Sequence, residues 1–196
     1  MSLPPPLLVL TDRSQCSDDL VHTVAAAVEA GARAVVLREK DLPEDDRDRL
    51  ADRLRTLLEP VGGLLIRAGA ARPGATDACH LAAADPFPSP RPALVGRSCH
   101  DRAELVQARD EGCDYVLLSP VFPTASKPGY GPALGLAGLA RLVGGAPPAW
   151  ALGGIGPEDV AGCLLAGARG VAVMGPVMRD PRTVSAYLAA VEAVAA

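Results

Sequence analysis

The chain has 196 residues, 49% of them hydrophobic but only 3% aromatic, so aliphatic side chains and alanine must fill one sizeable core. The formal net charge is −4 and the 19 Lys and Arg form no basic stripe, which argues against nucleic-acid binding. No apolar run reaches membrane-spanning length, and Met1-Ser-Leu-Pro-Pro-Pro lacks the charged start and apolar stretch of a signal peptide; the expectation is a soluble cytoplasmic protein with no membrane partner.

In chain order, the apolar run Leu7 to Leu10 predicts a first strand, followed by Thr11-Asp12-Arg13. Asp18 to Ala30 reads as a helix, with Ser17 as N-cap and Gly31 as its stop. Ala34 to Leu37 is a second strand and ends in Arg38-Glu39-Lys40. These three charges start a solvated loop, or they bring Arg38 and Lys40 within reach of an anionic ligand. Glu44 to Glu59 is a helix stopped by Pro60.

Gly63 to Ile66 is a third strand, and Arg67 to Asp77, rich in Ala, Gly and Pro, holds at most a short helix. Ala78 to Leu81 is a fourth strand, and four prolines make Asp85 to Pro92 a loop. Ala93 to Gly96 is a fifth strand, followed by Arg97-Ser98-Cys99-His100 and a helix from Asp101 to Glu111. Tyr115 to Leu118 is a sixth strand. Its loop carries Thr124, Ser126 and Lys127, two hydroxyls and an ammonium of the kind that hold a phosphate, although a Pro-rich surface turn would share this composition. Gly129 to Pro132 is a Gly/Pro loop that could close over a ligand, and Leu136 to Val143 a helix.

Ala149 to Leu152 is a seventh strand running into Gly153-Gly154-Ile155-Gly156, with Pro157 placed for a first helical turn and the helix continuing to Ala166. Glycines before a helix let the backbone approach an anion, or simply supply positive φ for a tight turn. Gly170 to Met174 is an eighth strand ended by Gly175, and Pro181 to Ala195 a closing helix.

Roughly eight continuous apolar strands alternating with helices predict an α/β chain, a (β/α)8 TIM barrel forming a single domain over residues 1–196; a doubly wound open sheet is the other arrangement. The polar clusters at Asp12, Arg38, Lys40, Asp85, Ser98, His100, Thr124 to Lys127 and Gly153-Gly154 all fall at carboxyl ends of strands, where a barrel keeps its active site. Among the three histidines His100 is the acid/base candidate, His22 is structural and His80 fits either role. The five dispersed cysteines read as free thiols without zinc-site spacing. Cys99 and His100, adjacent on an extended segment, should point to opposite sides rather than pair.

Leu37-Arg-Glu-Lys40, His80-Leu81 with Asp85 behind it, Gly96-x-Ser98-x-His100, Asp114-Tyr115-Val116 through Pro120-Val-Phe-Pro-Thr-x-Ser-Lys127, and Gly153-Gly154-Ile155 occur in this order. Together they resemble the thiamine phosphate synthase and thiazole tautomerase superfamily over nearly the whole chain. The resemblance implies a (β/α)8 barrel acting on a small-molecule thiazole phosphate. In the synthases a pyrimidine pyrophosphate ionises, the thiazole nitrogen captures the cation, and magnesium and cationic groups hold the departing pyrophosphate. By matching position, Arg38, Lys40, Ser98, Thr124, Ser126 and Lys127 would hold pyrophosphate, Asp85 would ligate magnesium, and Gly153, Gly154 and Gly175 would hold the thiazole phosphate.

The chain also departs from the synthase pattern. Arg67-Ala68 stands where synthases show Asn-Asp, and Ala82-Ala83 where they show Gly-Gln, which removes the second magnesium carboxylate. The tautomerase branch uses no metal; it aromatises a carboxythiazole phosphate by proton transfer at the histidine that His100 matches, with Arg38 and Lys40 completing the catalytic set. The resulting order of expectation is thiazole tautomerase without a cofactor, then thiamine phosphate synthase with Mg2+, then a catalytically silent paralogue that binds a thiamine-related phosphate. A homo-oligomer is compatible with the sequence.

Overall fold

The computed structural model of the chain describes residues 2–69, 78–124 and 132–195. Eight parallel strands run β1 (Leu7–Leu10), β2 (Ala34–Leu37), β3 (Leu64–Ala68), β4 (Ala78–Leu81), β5 (Leu94–Cys99), β6 (Tyr115–Leu118), β7 (Ala149–Leu152) and β8 (Gly170–Val173). Each pairs with its sequence neighbour, and β8 returns to β1 with Leu7, Leu8 and Val9 opposite Val171, Ala172 and Val173. The sheet therefore closes into a barrel, and the open-sheet alternative falls.

Helices α1 (Leu20–Glu29), α2 (Glu44–Leu58), α3 (Arg102–Asp110), α4 (Gly135–Val143), α5 (Val160–Leu165), α6 (Gly175–Arg179) and α7 (Val184–Ala195) cover it. No helix among the described residues is long and apolar enough to cross a membrane.

The strands are apolar throughout because both faces are buried. One parity (Leu8, Leu10, Ala34, Val36, Ile66, Ala68, Leu94, Tyr115, Leu117, Trp150, Ala172) fills the barrel interior. The other (Leu7, Val9, Val35, Leu37, Cys79, Val95, Cys99, Val116, Val171) packs outward with the helices. Bulky Tyr115 and Trp150 meet edge to face, with ring centroids 5.6 Å apart, and alanines elsewhere in the interior leave room for them.

The predicted elements differ from the observed ones mainly at polar ends. β3 continues through Arg67-Ala68, and β5 runs to Cys99, two residues after a buried arginine. α1 starts at Leu20 with Asp19, not Ser17, as N-cap: its carboxylate accepts the Val21 N–H at 2.9 Å. Asp101 caps α3 as expected, accepting from Glu104 N at 2.9 Å. Gly175, expected to end the eighth strand, opens the short helix α6. The short helix expected within Arg67 to Asp77 and the Gly129 to Pro132 loop fall largely outside the described residues, as do Ser126 and Lys127.

Candidate active site

A cavity of about 820 Å³ opens at the carboxyl ends of the strands. Its wall includes Arg38, Lys40, Ser98, His100, Thr124, Gly153, Gly154 and Gly175, every expected site residue within the described segments except Asp85 and Asp12, the latter bordering a second hollow. The volume suits a small-molecule ligand of the size of two joined heterocycles.

Strand parity sorts the polar side chains. In Arg38-Glu39-Lys40 the two cations line the cavity, while Glu39, 4% exposed, turns away and accepts the Arg13 backbone N–H (3.2 Å) and guanidinium (3.1 Å). Arg38 is held by its own N–H, which donates to the buried Thr11 hydroxyl at 3.0 Å, and by a 2.7 Å contact of Nη1 with Met174 Sδ.

On β5 and just after it, Ser98 and His100 face the cavity, whereas Arg97 and Cys99 face outward. The Cys99–His100 pair thus diverges as expected, and burial, then Glu104, pushes the Cys99 thiol up to about 12. Arg97 is fully buried. Its Nη1 donates to the carbonyls of Ala82 (3.0 Å), Ala83 (2.8 Å) and Asp85 (2.9 Å), and its Nη2 meets Glu111 Oε2 at 2.6 Å. It shapes the loop after β4 from behind. His100 places Nδ1 2.8 Å from Glu104 Oε2, and the same oxygen accepts the His100 backbone N–H at 2.6 Å.

Gly153 and Gly154 have φ of +100° and +66°, so the tight turn requires glycine here. A Cβ on Gly154 would lie 2.3 Å from Pro123 O, and Phe122 N donates to Gly153 O at 2.9 Å. The glycine turn and the loop after β6 are therefore packed against each other, which brings Thr124 and the two glycines into one cup. Gly175 closes the other side beside Arg179, whose Nη1 donates to Gln15 Oε1 at 3.0 Å.

The described residues do not fit a protein-ligated magnesium ion. Asp85 does not line the cavity; its Oδ2 accepts the Ala82 N–H at 2.8 Å and closes the turn after β4. Ala68 occupies the cavity wall on β3, and Arg67, pointing outward, pairs with Glu44 (3.1 Å) and Asp48 on α2 instead of adding charge to the site. No group of three His, Cys, Asp or Glu among the described residues could hold a metal.

Sequence reasoning left His80 open and placed Tyr115 only as the start of an apolar strand. His80 is 5% exposed and lies at the cavity floor, with Nδ1 3.1 Å from Tyr115 Oη and Nε2 2.9 Å from Ser98 Oγ. Arg179, Glu158 and Met174 also line the cavity without having been singled out. Inward parity counted back from Ser98 through Gly96 to its neighbour His80 could have found the histidine. A second hollow, of about 600 Å³, lies beside β1 and β2 among Asp12, Asp18, Asp19, Glu39 and Asp41; Arg13 pairs there with Glu39 and Asp41.

The chain matches the thiamine monophosphate synthase family over residues 7–177. It is 37% identical over 188 residues to a thiamine-phosphate synthase of Methanoculleus marisnigri, covering 89% of this chain and 88% of that one. A thiamine-phosphate synthase of Methanoregula boonei is 34% identical over 170 residues, 82% of this chain and 79% of its own. The structure of thiamine phosphate pyrophosphorylase from Pyrococcus furiosus superposes with a TM-score of 0.83 at 28% identity, covering 97% of this chain and 96% of that one. With the barrel, the cavity and these relatives in agreement, the chain belongs to the thiamine monophosphate synthase family.

Proposed function

We propose that this chain is a thiamine-phosphate synthase, joining a pyrimidine pyrophosphate to a thiazole phosphate and releasing pyrophosphate. The observation that carries this reading is the gathering of Arg38, Lys40, Ser98 and Thr124 around one cavity, with the Gly153-Gly154 turn and Gly175 on its other side. Two anionic groups can be held there at once. Arg38 and Lys40 face the charge that develops as the carbon–oxygen bond to pyrophosphate breaks, and fixed cations at such a point supply most of the catalysis. The glycine turn orients the thiazole phosphate so that its ring nitrogen meets the cation.

The sequence alone put thiazole tautomerase first; the relatives' names favour the synthase. The tautomerase remains the second reading on one observation, His100 in the cavity wall with Glu104 behind it at Nδ1, a placement suited to proton transfer. A coupled assay decides. Purified protein given both substrates and magnesium should form thiamine phosphate, and Lys40→Ala should lower kcat by about 100-fold. Absence of product beside a working control enzyme overturns the synthase; turnover of the carboxythiazole tautomer by the same sample then supports the second reading, and its failure a silent binder.

A further inference from the structure

A column of polar contacts rises through the barrel interior to the cavity. Tyr115 on β6 and His80 on β4 are not neighbours in the sheet; Gly96 on β5 stands in register between them, opposite both. A Cβ at Gly96 would lie 2.1 Å from Tyr115 Cζ and 2.6 Å from its hydroxyl, so the phenol leans across the strand through space that only glycine leaves. Its Oη reaches His80 Nδ1 at 3.1 Å, and His80 Nε2 reaches Ser98 Oγ at 2.9 Å. Tyr115 is fully buried, and His80 is its hydroxyl's partner among the described residues.

A buried O–H without an acceptor is costly, so the Tyr115 hydroxyl donates to Nδ1. Nδ1 is then the unprotonated nitrogen, and Nε2–H donates to Ser98 Oγ. With its oxygen accepting from His80, the Ser98 hydroxyl has its own proton to give to the cavity. We propose that Tyr115 and His80 are positioning residues that lock Ser98 as a hydrogen-bond donor toward the anion bound beside Arg38 and Lys40. This rests on reading the cavity as a pyrophosphate site.

The pair Ser98–His80 has the spacing of a nucleophile and its base, but that role does not fit. Burial, followed by the charges of Lys40, Arg38 and Arg97, pushes the His80 pKa down to about 3, too low for it to take a proton from a hydroxyl near neutral pH. A permanently neutral imidazole is what a fixed tautomer needs.

Nitrogen NMR of the full chain labelled with 15N-histidine should show His80 as the Nε2–H tautomer, with Nδ1 unprotonated. Calorimetry with inorganic pyrophosphate should show Tyr115→Phe and Ser98→Ala each weakening binding by about three- to tenfold. The double variant should lose no more than Ser98→Ala alone, because both changes remove one donor; a merely structural tyrosine would give additive losses. An Nδ1–H tautomer in the wild type overturns the relay even if Tyr115→Phe fails to fold, and so do additive losses. Wild-type protein that does not bind pyrophosphate defeats the synthase reading and the relay together, whereas binding with the wrong tautomer defeats the relay alone.

Discussion

His80 is held neutral where an unfolded chain would leave it near 6.5. Between pH 6.5 and about 3 the unfolded state binds a proton that the folded state refuses, so stability falls as the pH drops through this window and is flat, as far as His80 is concerned, above it. At roughly 1.4 kcal/mol per unit of displacement, the loss at the acid end amounts to a few kcal/mol. Urea unfolding from pH 4 to 8 should show this slope in the wild type and a shallower one in His80→Gln; equal slopes would assign acid sensitivity to other groups. Much of the site was legible at this scale. Arg38, Lys40, Ser98 and His100 each follow an apolar run at inward parity, and the structure brings them to one cavity. The contact between Tyr115 and His80 was not legible, because His80 fits either role and Tyr115 stands in an apolar run until a glycine between them is seen to open a path. Asp85, expected as a magnesium ligand only on the synthase reading, here accepts the Ala82 N–H, since a carboxylate after a strand also suits a turn.

At the scale of elements, strands were easier to read than their ends. Five of the eight, β1, β2, β4, β6 and β7, begin and end where the apolar runs do, since burial on both faces writes a continuous signal. Arg67 and Arg97 broke that signal although both lie within strands; their partners Glu44, Asp48 and Glu111 sit on or beside helices and leave no local trace in the sequence. Helix α6 was missed because five residues opening Gly-Pro carry no periodicity. Arg97 ties three of these pieces together: β5 that bears it, the loop after β4 whose three carbonyls it holds, and Glu111 at the end of α3. Arg97→Met leaves Glu111 without its counter-ion and those carbonyls without their donor, and should cost about 3–5 kcal/mol. Adding Glu111→Leu should recover part of the loss, because the stranded charge is removed. Denaturant midpoints check both, and a single-variant loss below about 1 kcal/mol would show that water replaces the arginine.

Over the whole molecule, a chain of net charge −4 concentrates positive charge in one place. Among the described residues, three cations, Arg38, Lys40 and Arg179, line the cavity against one carboxylate, Glu158, whereas the hollow beside β1 and β2 sets Asp12, Asp18, Asp19, Glu39 and Asp41 around Arg13. The parallel barrel gathers the segments that bear these charges at one end, and side-chain direction separates them there, with Arg38 and Lys40 entering the cavity and Glu39 the neighbouring hollow. Walls of low dielectric focus such a field and steer anions into the mouth. The attraction must then weaken as salt shortens the screening length from about 10 Å at 0.1 M to about 3 Å at 1 M. Inorganic pyrophosphate should bind at least about tenfold more weakly at the higher salt, and Arg179→Ala, which removes a cation at the rim, should flatten that dependence. Calorimetry across the salt series reads both effects. An affinity indifferent to salt would mean that local hydrogen bonds from Ser98, Thr124 and the glycine turn, rather than the field of the cavity, hold the anion.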